Sequence, residues 1–100
     1  MNGIQVYQNN TLQLTANVST TTAIDLTTYT PVLKIDFITG STSITGSTIT
    51  ASGTTSFTVP AAINIQVPHV YEYEIYIEKD LEKYTVISDS YSILPSLIGS

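Results

Sequence analysis

The carboxylates in the C-terminal third of the sequence are the first candidates for a metal-binding or catalytic role. Glu72, Glu74 and Glu78 are separated by even numbers of residues, and Asp80 and Glu82 follow shortly after them. In a β-strand this spacing puts the three glutamates on one face, where they could bind Ca²⁺ or act as an acid/base pair. The alternatives are a solvated face or a surface that orients a basic partner. Calcium loops typically use turns rich in Asp, Asn and Gly, which this segment lacks, so we expect no metal site and no cofactor.

His69 is the single histidine of the chain, and the sequence contains no cysteine. A lone histidine with no thiol and no carboxylate at helical spacing cannot complete a usual metal cluster or catalytic triad. We therefore interpret His69 as a loop residue or the start of a strand, and we expect no catalytic residue. Two carboxylates can hydrolyse glycosides, but a domain this small and evenly patterned gives no basis for predicting a pocket.

The seven tyrosines are the next candidates for ligand binding. Tyrosine offers rigid, amphipathic contact area, which suits glycan binding and antibody-like recognition. Alternation within the predicted strands divides the tyrosines between the core and the surface. The inward positions are Tyr71, Tyr73, Tyr84 and Tyr91, and the surface candidates are Tyr7, Tyr29 and Tyr76.

Two apolar segments are candidate protein-docking surfaces. Residues 95–100 keep apolar side chains beyond Pro95, which should end strand pairing. An apolar tail outside a domain normally needs a partner, and the alternative is that it folds back over one end of the core. The strand that begins near Ile4 offers an edge to which a neighbouring chain could add a strand. The predicted interaction residues are Ile4, Val6, Tyr7, Glu72, Glu74, Tyr76, Glu78, Leu94, Leu97 and Ile98.

Apolar residues at every second position predict the strands that must position these side chains. The alternation is clearest from Leu12 to Val18 and from Val70 to Lys79, and Asn9-Asn10 marks a tight turn before the first of these. A change of parity in the last strand predicts a β-bulge near Ser88-Asp89. Other strands are predicted at 4–7, 33–37, 57–59 and 84–93 and around Ile44 and Ile49, whereas 63–67 is either a strand or a crossover. Such short strands without helical periodicity predict a β-sandwich or barrel.

Composition limits the remaining possibilities. A chain of 100 residues forms one domain, which we place at 1–94, with 95–100 as a tail, and expect to be a free-standing module. The net charge of −5 and the presence of only three lysines argue against nucleic-acid binding. The sequence contains no apolar run of about 18 residues and no signal-peptide pattern at its start, so we expect no membrane association and synthesis in a cytosol.

Four segments carry a family resemblance: Asp25-Leu26-Thr27-Thr28-Tyr29, Gly53 to Pro60, Tyr71 to Ile77, and Tyr84-Thr85-Val86-Ile87. Together they resemble the immunoglobulin-like domain of phage baseplate upper proteins, which recurs in other structural proteins of tailed phages. The resemblance spans nearly the whole chain. It implies an all-β, immunoglobulin-like antiparallel β-sandwich of about seven to nine strands that attaches, braces or oligomerises parts of a virion.

The expected function is therefore that of a non-enzymatic virion structural protein of a tailed bacteriophage. It would serve as a capsid decoration or head fibre, or as a neck, tail or baseplate attachment module, and would be made in the host cytoplasm. Its expected partners are other virion proteins and further copies of itself. The alternative is an immunoglobulin-like module that recognises a glycan or a receptor through exposed tyrosines.

Overall fold

A computed structural model describes residues 3–19 and 24–95 of the chain. Over these ranges the protein is all-β, as predicted, with strands arranged in two sheets. A short 3₁₀ turn at Leu26–Thr28 is capped by Asp25, whose side chain accepts a hydrogen bond from the Thr27 amide. The strands are β1 (Ile4–Tyr7), β2 (Leu12–Asn17), β3 (Thr30–Asp36), β4 (Ser41–Thr45), β5 (Thr54–Val59), β6 (His69–Lys79) and β7 (Glu82–Leu94).

The larger sheet has the strand order β1-β7-β6-β3-β4, and the smaller sheet pairs β2 with β5. Every pairing is antiparallel except that of β1 with β7, which is parallel. The predicted antiparallel sandwich is therefore confirmed for the other pairings, and this edge is the exception. No hairpin joins β1 to β7, so nothing forces them to be antiparallel. Instead the chain turns at Asn9, which has a φ of 69°, and passes into the smaller sheet.

The core lies between the two sheets and is built from alternate side chains. The inward face of β6 and the inward face of β3 contain the apolar residues that the alternation predicts. Phe37, the residue after β3, packs edge-to-face on Tyr71 of β6 with ring centroids 5.1 Å apart. Burying one side chain of this size stabilises the fold by about 1.5–3 kcal/mol. The buried cluster comprises Ile4, Val6, Ala16, Leu33, Ile35, Phe37, Phe57, Val59, Tyr71, Tyr73, Ile75, Tyr91 and Ile93.

The parity change in β7 occurs at Val86, not at the predicted Ser88-Asp89. Ile75 pairs with Ile87 and Tyr76 pairs with Thr85, which leaves Val86 as the additional residue of a bulge. Both Val86 and Ile87 are apolar and half-buried against the core. Two consecutive apolar residues can both pack inward only where the pleat is interrupted, and this fixes the position of the bulge.

The Ser/Thr-rich stretch forms one strand, β4, and not the two that were predicted. Ile49 is buried but lies outside any strand. The Ser47 Oγ accepts a hydrogen bond from the Ser56 amide, and Thr50 Oγ1 accepts one from the Thr54 amide. Hydroxyl groups that bind nearby backbone in this way compete with a regular ladder, so this segment lies along β5 without forming a strand.

The segment between β5 and β6 is a crossover of turns, which decides between the two predicted alternatives. Its central residue, Asn64, is fully buried. The crossover brings the chain from the smaller sheet back to the start of β6. Its outer positions, including Ile65 and Val67, are exposed.

Candidate functional site

The outward face of β3, β6 and β7 carries most of the predicted polar site, and we call it the acidic face. Its side chains are Lys34, Asp36, Glu72, Glu74, Tyr76, Glu78 and Lys83, all on positions opposite to the core-facing ones. An open groove of about 790 Å³ runs across it, lined by residues that include Asp36, Glu72, Glu74, Ser88 and Ser90. Three of the predicted glutamates therefore share one face with an aspartate from the neighbouring strand.

The charges of the acidic face are unevenly compensated. Lys34 lies directly opposite Glu74 in the pairing of β3 with β6, and Lys83 Nζ is 3.6 Å from Glu74 Oε1. Asp36, in contrast, lies directly opposite Glu72. Like charges at directly opposed positions destabilise a sheet by up to about 1 kcal/mol. One end of the groove therefore holds two carboxylates that a cationic group could stabilise.

At the other end of the acidic face, Lys83 compensates the negative charge of the glutamates. Lys83 Nζ lies 4.3 Å from the centroid of the Tyr76 ring, a distance that allows cation–π attraction. Glu78 lies opposite Lys83 in the pairing of β6 with β7. Tyr76 is half-buried, so its ring is less available to a ligand than the sequence suggested.

The first strand presents its backbone edge and not its apolar side chains. Ile4 and Val6 are 7% and 6% exposed because both point into the core. Tyr7 is 39% exposed, and Leu94 lies beside it at the end of β7 and is half-buried. Leu97 and Ile98 lie outside the described residues.

A patch of exposed apolar side chains was not predicted as a surface. Ile65, Val67 and Val70 are 58%, 73% and 60% exposed. Gln8 links this patch to the first strand because its Nε2 donates to the Gln66 carbonyl at 3.1 Å. Because 63–67 was predicted as either a strand or a crossover, its alternation did not identify these side chains as exposed. We call Tyr7, Ile65, Val67 and Val70 the apolar end.

Tyr29 was predicted to lie at the surface, and this is wrong, since it is only 7% exposed. Its ring packs 6.1 Å from that of Tyr84, and its hydroxyl donates to Glu82 Oε1 at 2.5 Å. Tyr84 donates to the same oxygen at 3.2 Å. The hydrogen bond to the carboxylate raises the pKa of Tyr29 to about 12 and lowers the pKa of Glu82. These hydrogen bonds connect the residue before β3 to the start of β7.

The inward tyrosines are placed as predicted. Tyr71, Tyr73 and Tyr91 are buried, and Tyr84 is half-buried. His69 is the exposed first residue of β6, with its ring 5.2 Å from that of Tyr71. Within residues 3–19 and 24–95, no three His, Asp or Glu side chains are grouped so as to hold a metal ion.

No family model matches the sequence, and no curated protein is significantly similar to it. In the described part of the chain, no helix is long and apolar enough to cross a membrane. The acidic face, the apolar end and the sheet edges are therefore the features from which a function can be inferred.

Proposed function

We propose that this protein is a non-enzymatic structural component of the virion of a tailed bacteriophage, an immunoglobulin-like module that docks on other virion proteins. The strand order supports the immunoglobulin-like assignment. In such sandwiches a hairpin of two long strands lies beside a third strand in one sheet and faces a second sheet. Here β6 and β7 form that hairpin beside β3, and β2 and β5 form the facing sheet. The resemblance of four segments to phage baseplate domains supports the virion assignment.

The observation that carries the docking proposal is the opposition of Asp36 and Glu72 in an open groove. A Lys or Arg side chain of a partner that entered the groove would replace repulsion by two attractive contacts. Charge pairs of this kind contribute more to orientation and association rate than to affinity. The apolar end, with three side chains more than half exposed, provides contact area of the kind that contributes affinity.

The virion assignment is tested on particles purified from cells that produce the phage encoding this chain. Quantitative mass spectrometry should find the protein in a fixed ratio to the major capsid or tail protein, and a labelled antibody should locate it on the particle. The assignment is wrong if the protein accumulates in the cells but is missing from purified particles.

The docking face is tested by two variants that each remove one negative charge from β6. Glu72→Gln removes the charge that faces Asp36, and Glu78→Gln removes a charge that faces Lys83. Glu72→Gln should reduce incorporation into particles although the isolated domain becomes more stable by up to about 1 kcal/mol. Glu78→Gln is the matched control and should be incorporated like the wild type. Equal incorporation of both variants would remove the acidic face from the proposal.

A further inference from the structure

Strand β2 forms an open edge of the smaller sheet. It pairs with β5 along its full length and with no other strand among the described residues. In an antiparallel pair, alternate residues direct their N–H and C=O groups away from the partner strand. Within residues 3–19 and 24–95, no backbone hydrogen bond reaches those outward groups of β2. The edge is therefore chemically able to bind one more strand.

A cavity of about 350 Å³ lies against this edge. The four consecutive residues from Leu14 to Asn17 line it, and consecutive residues of a strand share only its edge, since their side chains alternate between faces. It also contacts Ile4, the first residue of β1, and Gly3 just before it. Tyr73, Ile75 and Ile87 of the larger sheet also line it. This cavity, which we call the slot, therefore lies between the edge of β2 and the inner face of the larger sheet.

The slot lacks the usual protection of a sheet edge. Natural edge strands carry charged residues, prolines or bulges that prevent another strand from pairing. The segment from Gly3 to Ser19 has no charged residue and no proline, and the pairing of β2 with β5 is unbroken by a bulge. On the inward side of β2, Leu12 and Leu14 are only half-buried. Apolar surface and free backbone groups therefore coincide.

We propose that a second copy of this chain binds at this edge, with β2 of one copy pairing antiparallel to β2 of the other. A two-fold axis perpendicular to the smaller sheet keeps the inward side chains of both strands on the same side. A register that sets Leu14 opposite the partner's Leu14 also sets Leu12 opposite the partner's Ala16. The smaller sheets of the two copies then join into one sheet of four strands, and the half-buried Leu12 and Leu14 of each copy pack against the inward side chains of the other.

The absence of charge on β2 favours pairing with another uncharged strand, such as β2 of a second copy, over pairing with a charged one. The chain has a net charge of −5, and all eight of its acidic residues lie outside the Gly3–Ser19 segment. Two β2 strands therefore pair without like charges at opposed positions, and each offers the alternation that the other requires. A basic partner would be attracted to the acidic face instead. The pairing is independent of the virion assignment, and either proposal can fail without the other.

The experiment measures association of the purified full-length chain by sedimentation equilibrium over a range of concentrations. The wild type should show a monomer–dimer equilibrium. The double variant Gln13→Lys/Thr15→Lys places like charges opposite each other across the paired strands and should raise the dimer dissociation constant about tenfold. Ser43→Lys/Thr45→Lys makes the same charge change on β4, the edge of the other sheet, and should leave the dissociation constant unchanged.

Hydrogen exchange on the wild type gives a second readout that needs no variant. Alternate amides of β2 should become protected as concentration rises, while protection of β6 amides stays constant. Circular dichroism confirms that both double variants are folded, and if the β2 variant is unfolded the exchange result decides. A monomeric wild type at its highest soluble concentration, equal weakening by both variants, or β2 protection independent of concentration would each overturn the proposal.

Discussion

Replacing Asn64 by alanine should destabilise the fold more than any surface substitution. Asn64 has no exposed area, and its Nδ2 donates to the Asn10 carbonyl at 2.7 Å. Its Oδ1 accepts from the Tyr91 hydroxyl at 2.6 Å, and its main-chain carbonyl accepts from the Asn9 amide at 2.8 Å. One side chain therefore connects the crossover to the turn after β1 and to the C-terminal part of β7.

The magnitude follows from which groups lose their partners. The Tyr91 hydroxyl is fully buried, and an unsatisfied buried hydroxyl destabilises by about 1–3 kcal/mol. Asn10 is exposed, so its carbonyl can bind water and contributes less. Adding the loss of packing, we expect Asn64→Ala to lower the free energy of unfolding by about 2–4 kcal/mol. For a domain of this size the melting temperature should fall by at least about 8 °C.

Urea unfolding followed by circular dichroism provides the assay, and a double-mutant cycle tests the cause. Tyr91→Phe removes the hydroxyl, so Asn64→Ala should be less damaging in that background by about 1 kcal/mol or more. Asn17→Ala changes an exposed asparagine and should stay within about 0.5 kcal/mol of the wild type. A loss of less than about 0.5 kcal/mol for Asn64→Ala, or an additive cycle, would show that the hydrogen bond between Asn64 and Tyr91 does not stabilise the fold.

Three further predictions concern local contacts. Ultraviolet titration should show Tyr29 ionising near a pKa of about 12, and Glu82→Gln should bring its pKa back towards 10. Because folding raises this pKa, the stabilisation is complete below pH 10 and is lost as the pH rises towards 12, which alkaline urea titrations can measure. Gly53→Ala should destabilise by about 1–3 kcal/mol, seen as a lower urea midpoint, because the residue has a φ of +92° and a new Cβ would lie 2.5 Å from a main-chain carbonyl oxygen. Hydrogen bonds from the Thr27 side chain and backbone lower the pKa of Asp25, so its stabilisation is present at neutral pH and is lost as the pH falls through the folded pKa. Asp25→Ala should therefore show a smaller loss of stability on acidification, and an unchanged acid profile would contradict this.

Side-chain alternation predicted the long strands because burial of one sheet face leaves a direct signal in the sequence. Strand β6 begins at His69, one residue before the predicted start, and the inward and outward sets in β3 and β6 are confirmed. Strand β2 ends at Asn17, one residue earlier than predicted. These segments are predictable because side chains alternate between the two faces of a strand, so local sequence determines which side chains point inward.

Features that depend on contacts between distant segments were not predictable in the same way. The parallel pairing of β1 with β7 and the position of the bulge at Val86 depend on how β7 meets its neighbours on both sides. The burial of Tyr29 depends on Glu82, which is 53 residues away. No local pattern encodes such a contact.

The acidic face was predicted in part. Alternation in β6 put three glutamates and Tyr76 on one face, which is confirmed. The opposition of Asp36 and Glu72, on which the docking proposal depends, requires the register of β3 against β6, and the sequence does not provide it. The apolar end was missed because a turn-rich crossover can expose residues that alternate like those of a strand.

The uncharged segment from Gly3 to Ser19 gives this molecule an asymmetric charge distribution. The domain measures 47 × 23 × 23 Å, whereas electrostatic fields in physiological salt decay over about 8 Å. The carboxylates of the acidic face therefore contribute little electrostatic potential at strand β2. This strand presents a nearly neutral surface although the molecule has a net charge of −5. Copies arranged side by side could thus stand close together while all present their negative faces in the same direction.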